Sequence, residues 1–193
     1  MKDGLGQAVG SVAGWLANVY ALDLAFRAEE HVLEIPEERA RELLAPGCRS
    51  GVLLLEDEHT LHLGLHLAPE DRSDAGTLVE ETSHLVCLAW HGERDLAVSQ
   101  LILELQADVD RFVFARLVAR QRGRDALVHF ERFRFAPGLV PEARTRYELA
   151  HRRARAYCQR LCRRFPGRRD TPALLSELRR FYRSSPATKL HAA

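Results

Sequence analysis

TLVEETSHLVCLAWHGERDLAVSQLILELQADVDRFVFARL, residues Thr77 to Leu117, decides the fold. Its apolar residues return every three or four positions, which is the period of a helix with one buried stripe. At about 100° per residue, Leu78, Thr82, Leu85, Val86 and Ala89 gather on one side of a first helix. Leu101, Ile102, Leu105, Val109, Phe112 and Val113 gather on one side of a second, and His91 to Asp95 join the two. On these helices sit Glu80, Glu81, His84, His91, Glu104, Asp108 and Asp110. Acids and imidazoles interleaved with a core stripe point either to a site or to ion pairs that set how the helices pack.

Outward from this pair, which spans residues 73–121 with Ser73 and Asp74 as N-caps and Gly123 as the stop, the elements alternate in type. Upstream, Leu61, Leu63, Leu65 and Leu67 alternate with Thr60, His62, Gly64 and His66, the period-2 signature of a strand with one aliphatic face. Val52 to Leu55 pairs with it across a turn at Glu56 to His59, so residues 51–67 read as a β-hairpin. His62 and His66 share its polar face, about 7 Å apart, and are expected in solvent. Two strands alone are marginal, so a third is expected from His31 to Ile35 or Leu127 to Phe133. Residues 5–22 read as a helix with Gly6, Gly10 and Gly14 along one stripe, a mark of close packing. Pro36 opens a brief helix through Leu44.

Downstream, Pro141 starts a long helix through about Phe165, with Tyr147, Ala154, Cys158, Leu161 and Phe165 inward and His151 among them. Thr171 and Pro172 begin a last helix to about Tyr182, burying Leu174, Leu175, Leu178 and Phe181. Ser184 to Ala193 reads as a frayed tail. The expected architecture is mainly α with a small β-hairpin (α+β): a bundle of four or five helices in one domain, 1–193.

Composition bounds the classes. With 193 residues, 46% hydrophobic and 28% charged, the chain can bury a real core in water. No segment has the basic flank and unbroken apolar run of a secretory signal or membrane span, so a cytoplasmic protein without a membrane partner is expected. Cys48, Cys87, Cys158 and Cys162 show no CxxC and read as reduced, mostly buried thiols. GxSxG and a phosphate-binding glycine loop are absent. The net charge of +1 hides a division. Residues 144–193 hold fourteen Arg and Lys against three acids, a balance of +11, and residues 1–143 balance at −10. The basic helices of 141–183 must therefore dock on the acidic pair or meet an acidic partner.

Two sets of residues carry the functional expectations. Glu81 with His84 and Glu148 with His151 each place a Glu three residues before a His, and the helix between carries Glu104 and Asp108. Residues i and i+3 project from one helix face, and carboxylates can bridge two cations. This pattern resembles the ferritin-like di-iron bundles, and the resemblance implies a pair of divalent ions, Fe, Mn or Zn, held by Glu81, His84, Glu104, Asp108, Glu148 and His151. The same residues can instead form ion pairs that fix helix register, and a smaller acid/base or single-ion site would use Glu81, His84 and His91. The second set is Arg152, Arg155, Arg160, Arg163, Arg164, Arg168 and Arg169, a surface for an acidic protein. Nucleic acid is an alternative partner, with Tyr157, Phe181 and Tyr182 as stacking surfaces. A non-catalytic interaction or accessory protein is the first reading, and a dimetal enzyme the alternative.

Overall fold

The computed structural model describes residues 2–57, 60–121, 125–132 and 138–192. Among them are eight helices and one hairpin: α1 (Lys2–Tyr20), α2 (Glu37–Leu43), β1 (Gly51–Glu56), β2 (Leu61–His66), α3 (Ala75–Gly92), α4 (Gln100–Leu117), α5 (Val128–Arg132), α6 (Pro141–Arg164), α7 (Thr171–Tyr182) and α8 (Pro186–Ala192). Five of these helices are long. The protein is mainly α with a small hairpin, as the periodicity predicts.

Helix starts follow local chemistry. Asp74 accepts the Thr77 amide at 2.6 Å and Ser99 accepts that of Ile102, each satisfying a donor left open in a first turn. Pro141 opens α6, where its missing N–H costs nothing. At the end of α1, Ala21 turns left-handed at φ 50°. Arg179 of α7 and Arg183 just after it then donate to the carbonyls of Val19, Tyr20 and Ala21, so two cations of the basic segment are engaged by the negative end of a helix.

Helix α4 is central, lying between α3 and α6. Contacts from Glu80 to Arg111 and from His84 to Glu104 run in opposite order along α3 and α4, which are antiparallel. Those from Asp108 to His151 and from Arg116 to Cys162 run in the same order, so α4 and α6 are parallel. Leu85, Leu105, Val109, Phe112, Ala154, Tyr157, Cys158 and Leu161 form the core between them, closed by Leu16 and Tyr20 of α1 and Leu178 of α7. Tyr157 stacks on Phe181 with ring centroids 4.0 Å apart.

Several expectations need correction. Leu127 to Phe133, read as a possible third strand, is helical as far as Arg132, with one turn ending at Leu127 and α5 following it; Phe133 and the Gly123 stop lie outside the described residues. The third strand shrinks to one parallel bridge between Val32 and Leu65, with the Leu33 amide on the Leu65 carbonyl at 2.8 Å. Leu33 also needs Gly64, since a Cβ there would meet its Cδ1 at 2.2 Å. That crowding places the buried end of β2 against the body: His66 is buried with His62 exposed, while Leu54, Leu55 and Leu61 are exposed at the far end. The hairpin is buried by position along its length rather than by face. Of the three stripe glycines, Gly10 is the one in tight contact, where a Cβ would lie 2.9 Å from the Glu29 carboxylate. Lastly, the expected frayed tail contains α8, whose Lys189 side chain is buried.

Candidate functional site

Four elements turn ionisable residues toward one another. Glu80, Glu81 and His84 project from α3, Glu104, Asp108 and Arg111 from α4, Tyr147 and His151 from α6, and His129 from α5. Spacings of three, four and seven keep Glu81 with His84, Glu104 with Asp108 and Arg111, and Tyr147 with His151 on one helix face each, with Glu80 beside Glu81 and four residues from His84.

Two chains of contacts result. In the first, the His84 ring lies between two carboxylates, with Nδ1 3.4 Å from Glu81 and Nε2 3.6 Å from Glu104. Burial opposes a charge on this ring, yet the charges of Glu104 and Glu81 prevail and raise its pKa well above the usual imidazole value. The hydroxyl of Tyr147 is kept protonated by burial and by the Glu104 carboxylate. In the second chain, Arg111 bonds Glu80 at 3.1 Å and reaches Asp108 at 3.9 Å. Asp108 accepts from His151 Nδ1 at 2.9 Å, and His151 Nε2 reaches the Phe130 carbonyl at 3.0 Å. An acceptor at each nitrogen favours the imidazolium; burial lowers the ring's pKa, but Asp108 more than restores it. Four acids thus meet three cations, and the cluster is close to neutral.

Above the second chain opens a cleft of about 1040 Å³, lined by Cys48, Asp71, Glu80, Arg111, His129 and Tyr147 among others. Burial shifts two of these groups. Burial pushes the Glu80 carboxyl up to about 7 against the pull of Arg111. Burial also lowers His129 to about 4, so its ring is neutral, and its enclosed Nε2 has no hydrogen-bond partner.

Five of the six expected metal ligands are therefore neighbours, and Glu148 is not among them. It lies on the outer face of α6, half exposed, paired with Arg144 at 3.0 Å. The guanidinium of Arg111 contacts both Glu80 and Asp108, the place a second cation would take between those acids. Among the described residues no group of three His, Cys, Asp or Glu is arranged to hold a metal ion. His91 stands apart from the cluster, bonded to the Cys87 carbonyl at 2.7 Å. Sequence reasoning did not single out Arg111, His129 or Tyr147. Arg111 had a signal, three residues after Asp108 and seven after Glu104 on the same face. His129 had none, because α5 was unforeseen.

The second set lies on the opposite side of α6. Arg152, Arg155 and Arg163 fall within about 80° of arc, and Arg164, Arg168 and Arg169 continue the exposed surface. Arg160 is half-buried, its guanidinium 5.2 Å from the Tyr157 ring. Arg164 reaches Glu177 at 3.5 Å while 64% exposed; among the described residues the other six have no acidic partner. Tyr157, Phe181 and Tyr182 are core residues at 0%, 3% and 2% exposure, and offer no surface to a base.

No family model, no curated protein and no solved structure matches the chain. Among the described residues no helix is long and apolar enough to cross a membrane.

Proposed function

We propose that this is a non-catalytic accessory protein that meets an acidic protein through the arginine face of α6 and the turn after it. The observation that carries this reading is where the charge goes. Helix α6 docks on acidic α4 through its apolar stripe, and its Arg152, Arg155 and Arg163 turn away from those acids. A basic face left unneutralised raises association rates with an acidic surface and selects for it. The free thiols of Cys48, Cys87, Cys158 and Cys162 accord with a reducing, cytoplasmic setting. Replacing Arg163, Arg164, Arg168 and Arg169 by Gln tests it, with fluorescent poly-L-glutamate as the probe and duplex DNA as the competitor. The wild type binds the acidic polymer at low salt, and the variant loses at least tenfold in affinity while unfolding at the same temperature. Equal binding by both proteins removes the arginines from the reading, and preferential capture of DNA replaces the acidic protein by nucleic acid.

A second reading rests on Glu80 and His129 at the cleft: a small polar ligand bound with proton uptake or release at Glu80. Ligand-observed NMR with small carboxylates, phosphates and amines at pH 6 and 8 tests it. Binding that changes between these values in the wild type, and not in Glu80→Gln, supports it; no binding from any class removes it. Elemental analysis of protein purified without chelators tests the dinuclear alternative, because about two Fe, Mn or Zn per chain would make the clustered acids ligands. A value near zero that persists after incubation with each metal leaves them as ion pairs.

A further inference from the structure

Twenty-six of the twenty-eight basic residues are arginine, and only Lys2 and Lys189 are lysine. Among the described residues Lys189 is nonetheless the most deeply buried cation, at 1% exposure, from a short helix near the end of the chain. A buried ammonium costs several kcal/mol unless it is matched, so its surroundings must be built for it.

They are. Nζ of Lys189 donates to Gln106 Oε1 at 3.1 Å and lies 5.0 Å from the centroid of the Tyr182 ring and 5.4 Å from that of Phe181. Both rings belong to the core, and an aromatic face attracts a compact cation. The amide of Gln106 is not free to turn. Its Nε2 donates to Asp110 Oδ1 at 3.0 Å and to the Tyr20 hydroxyl at 3.2 Å. Asp110 in turn accepts from Tyr20 and from Ser83 Oγ, the latter at 2.6 Å. Three donors thus organise the carboxylate, the carboxylate fixes which end of the amide faces it, and the oxygen end is left for the ammonium. Gln106 and Asp110 are 0% and 1% exposed, so this arrangement stands without help from solvent. A guanidinium, planar and with five donors, would meet one oxygen and two ring faces here, which fits the use of lysine in so arginine-rich a chain.

We infer that the core contains a preformed site for a primary ammonium group, built by Gln106, Asp110, Phe181 and Tyr182, which the chain's own Lys189 fills and which takes a small primary alkylammonium ion once that side chain is removed. Burial lowers the Lys189 pKa from its ordinary value, and Cys87 and Asp110 offset only part of that fall, so it is the amide oxygen and the two ring faces that mark the site as one for an ammonium. The site is separate from the arginine face and from the cleft.

Lys189→Ala in the full chain leaves a space with the outline of n-propylammonium. Thermal unfolding is followed with n-propylammonium chloride, with 1-propanol and with sodium chloride at matched concentrations. The amine raises the Tm of Lys189→Ala saturably, by about 3–5 °C at ten times its Kd, and leaves the wild type and the double variant Lys189→Ala with Gln106→Leu unmoved. If Lys189→Ala does not fold alone, its recovery by the amine and not by the alcohol is the same result. Equal action of 1-propanol, equal action on the wild type, or no action on Lys189→Ala overturns the inference. So does a Lys189→Arg variant as stable as the wild type, since the site would then not distinguish an ammonium from any other cation.

Discussion

Helix α6 has two charged sides that obey different rules. Inward, His151 is held at both nitrogens, by Asp108 and by the Phe130 carbonyl, in a cluster where acids and cations nearly cancel. Outward, Arg152, Arg155, Arg163, Arg168 and Arg169 have no acidic partner among the described residues. Water explains the difference. In a buried place each charge must be matched because little solvent can screen it, whereas on the surface an arginine is hydrated without a partner. Inner charges are therefore read as structure first and outer ones as recognition first.

The largest effect should come from breaking the inner side. Asp108→Ala leaves His151 and Arg111 without their shared carboxylate and should cost about 3 kcal/mol, read as a fall in the denaturant midpoint at unchanged slope. A loss below about 1 kcal/mol would mean that water already enters the cluster and would narrow the contrast between the two sides.

Next is a pH effect at the cleft. The folded Glu80 carboxyl lies at about 7, above its ordinary 4.5. A raised carboxyl binds its proton more tightly in the folded state, so its contribution to stability is greatest below pH 4.5 and is lost as pH rises through 7. Asp110, raised by burial to about 6 from 3.8, acts in the same direction. His129, lowered by burial to about 4, works oppositely, and its contribution is lost as pH falls from 6.5 toward 4. Glu80→Gln should remove about 2 kcal/mol of the fall in stability between pH 5 and 7, measured by chemical denaturation across that range. An unchanged pH profile would show that Glu80 is ionised throughout.

The smallest effect on stability belongs to the outer side. Neutralising Arg152, Arg155 and Arg163 together should change unfolding free energy by less than about 0.5 kcal/mol, because hydrated surface charges contribute little. Binding to poly-L-glutamate should fall several-fold in the same variant, and a steep loss of stability instead would make these arginines part of the fold.

Much of this organisation is legible in local sequence. The stripes of α3, α4, α6 and α7, the caps at Asp74 and Pro141 and the hairpin all follow from neighbours within four residues, as does the outward set of arginines. Glu81, His84, Glu104, Asp108 and His151 lie near one another because helix periodicity puts them on facing stripes, although among the described residues no three such groups are arranged to hold a metal ion. Glu148 fails since i and i+3 positions can straddle the edge of a buried face, and there Arg144 at i−4 holds it outward. His66 and Lys189 misled for a different reason: strand alternation and a polar tail describe the segment alone, and both residues are buried by elements distant in sequence.

The sequence by itself determined the five long helices, the hairpin, the division of charge and the two faces of α6, because these depend on periodicity and on hydrogen bonds between near neighbours. Tertiary structure alone decided that Arg111 stands between Glu80 and Asp108, that His129 reaches the cleft, and that Lys189 of α8 meets Gln106 of α4. Arg111 and Glu80 are 31 positions apart and Lys189 and Gln106 are 83, and no local period encodes which distant group will supply the matching charge once water is excluded.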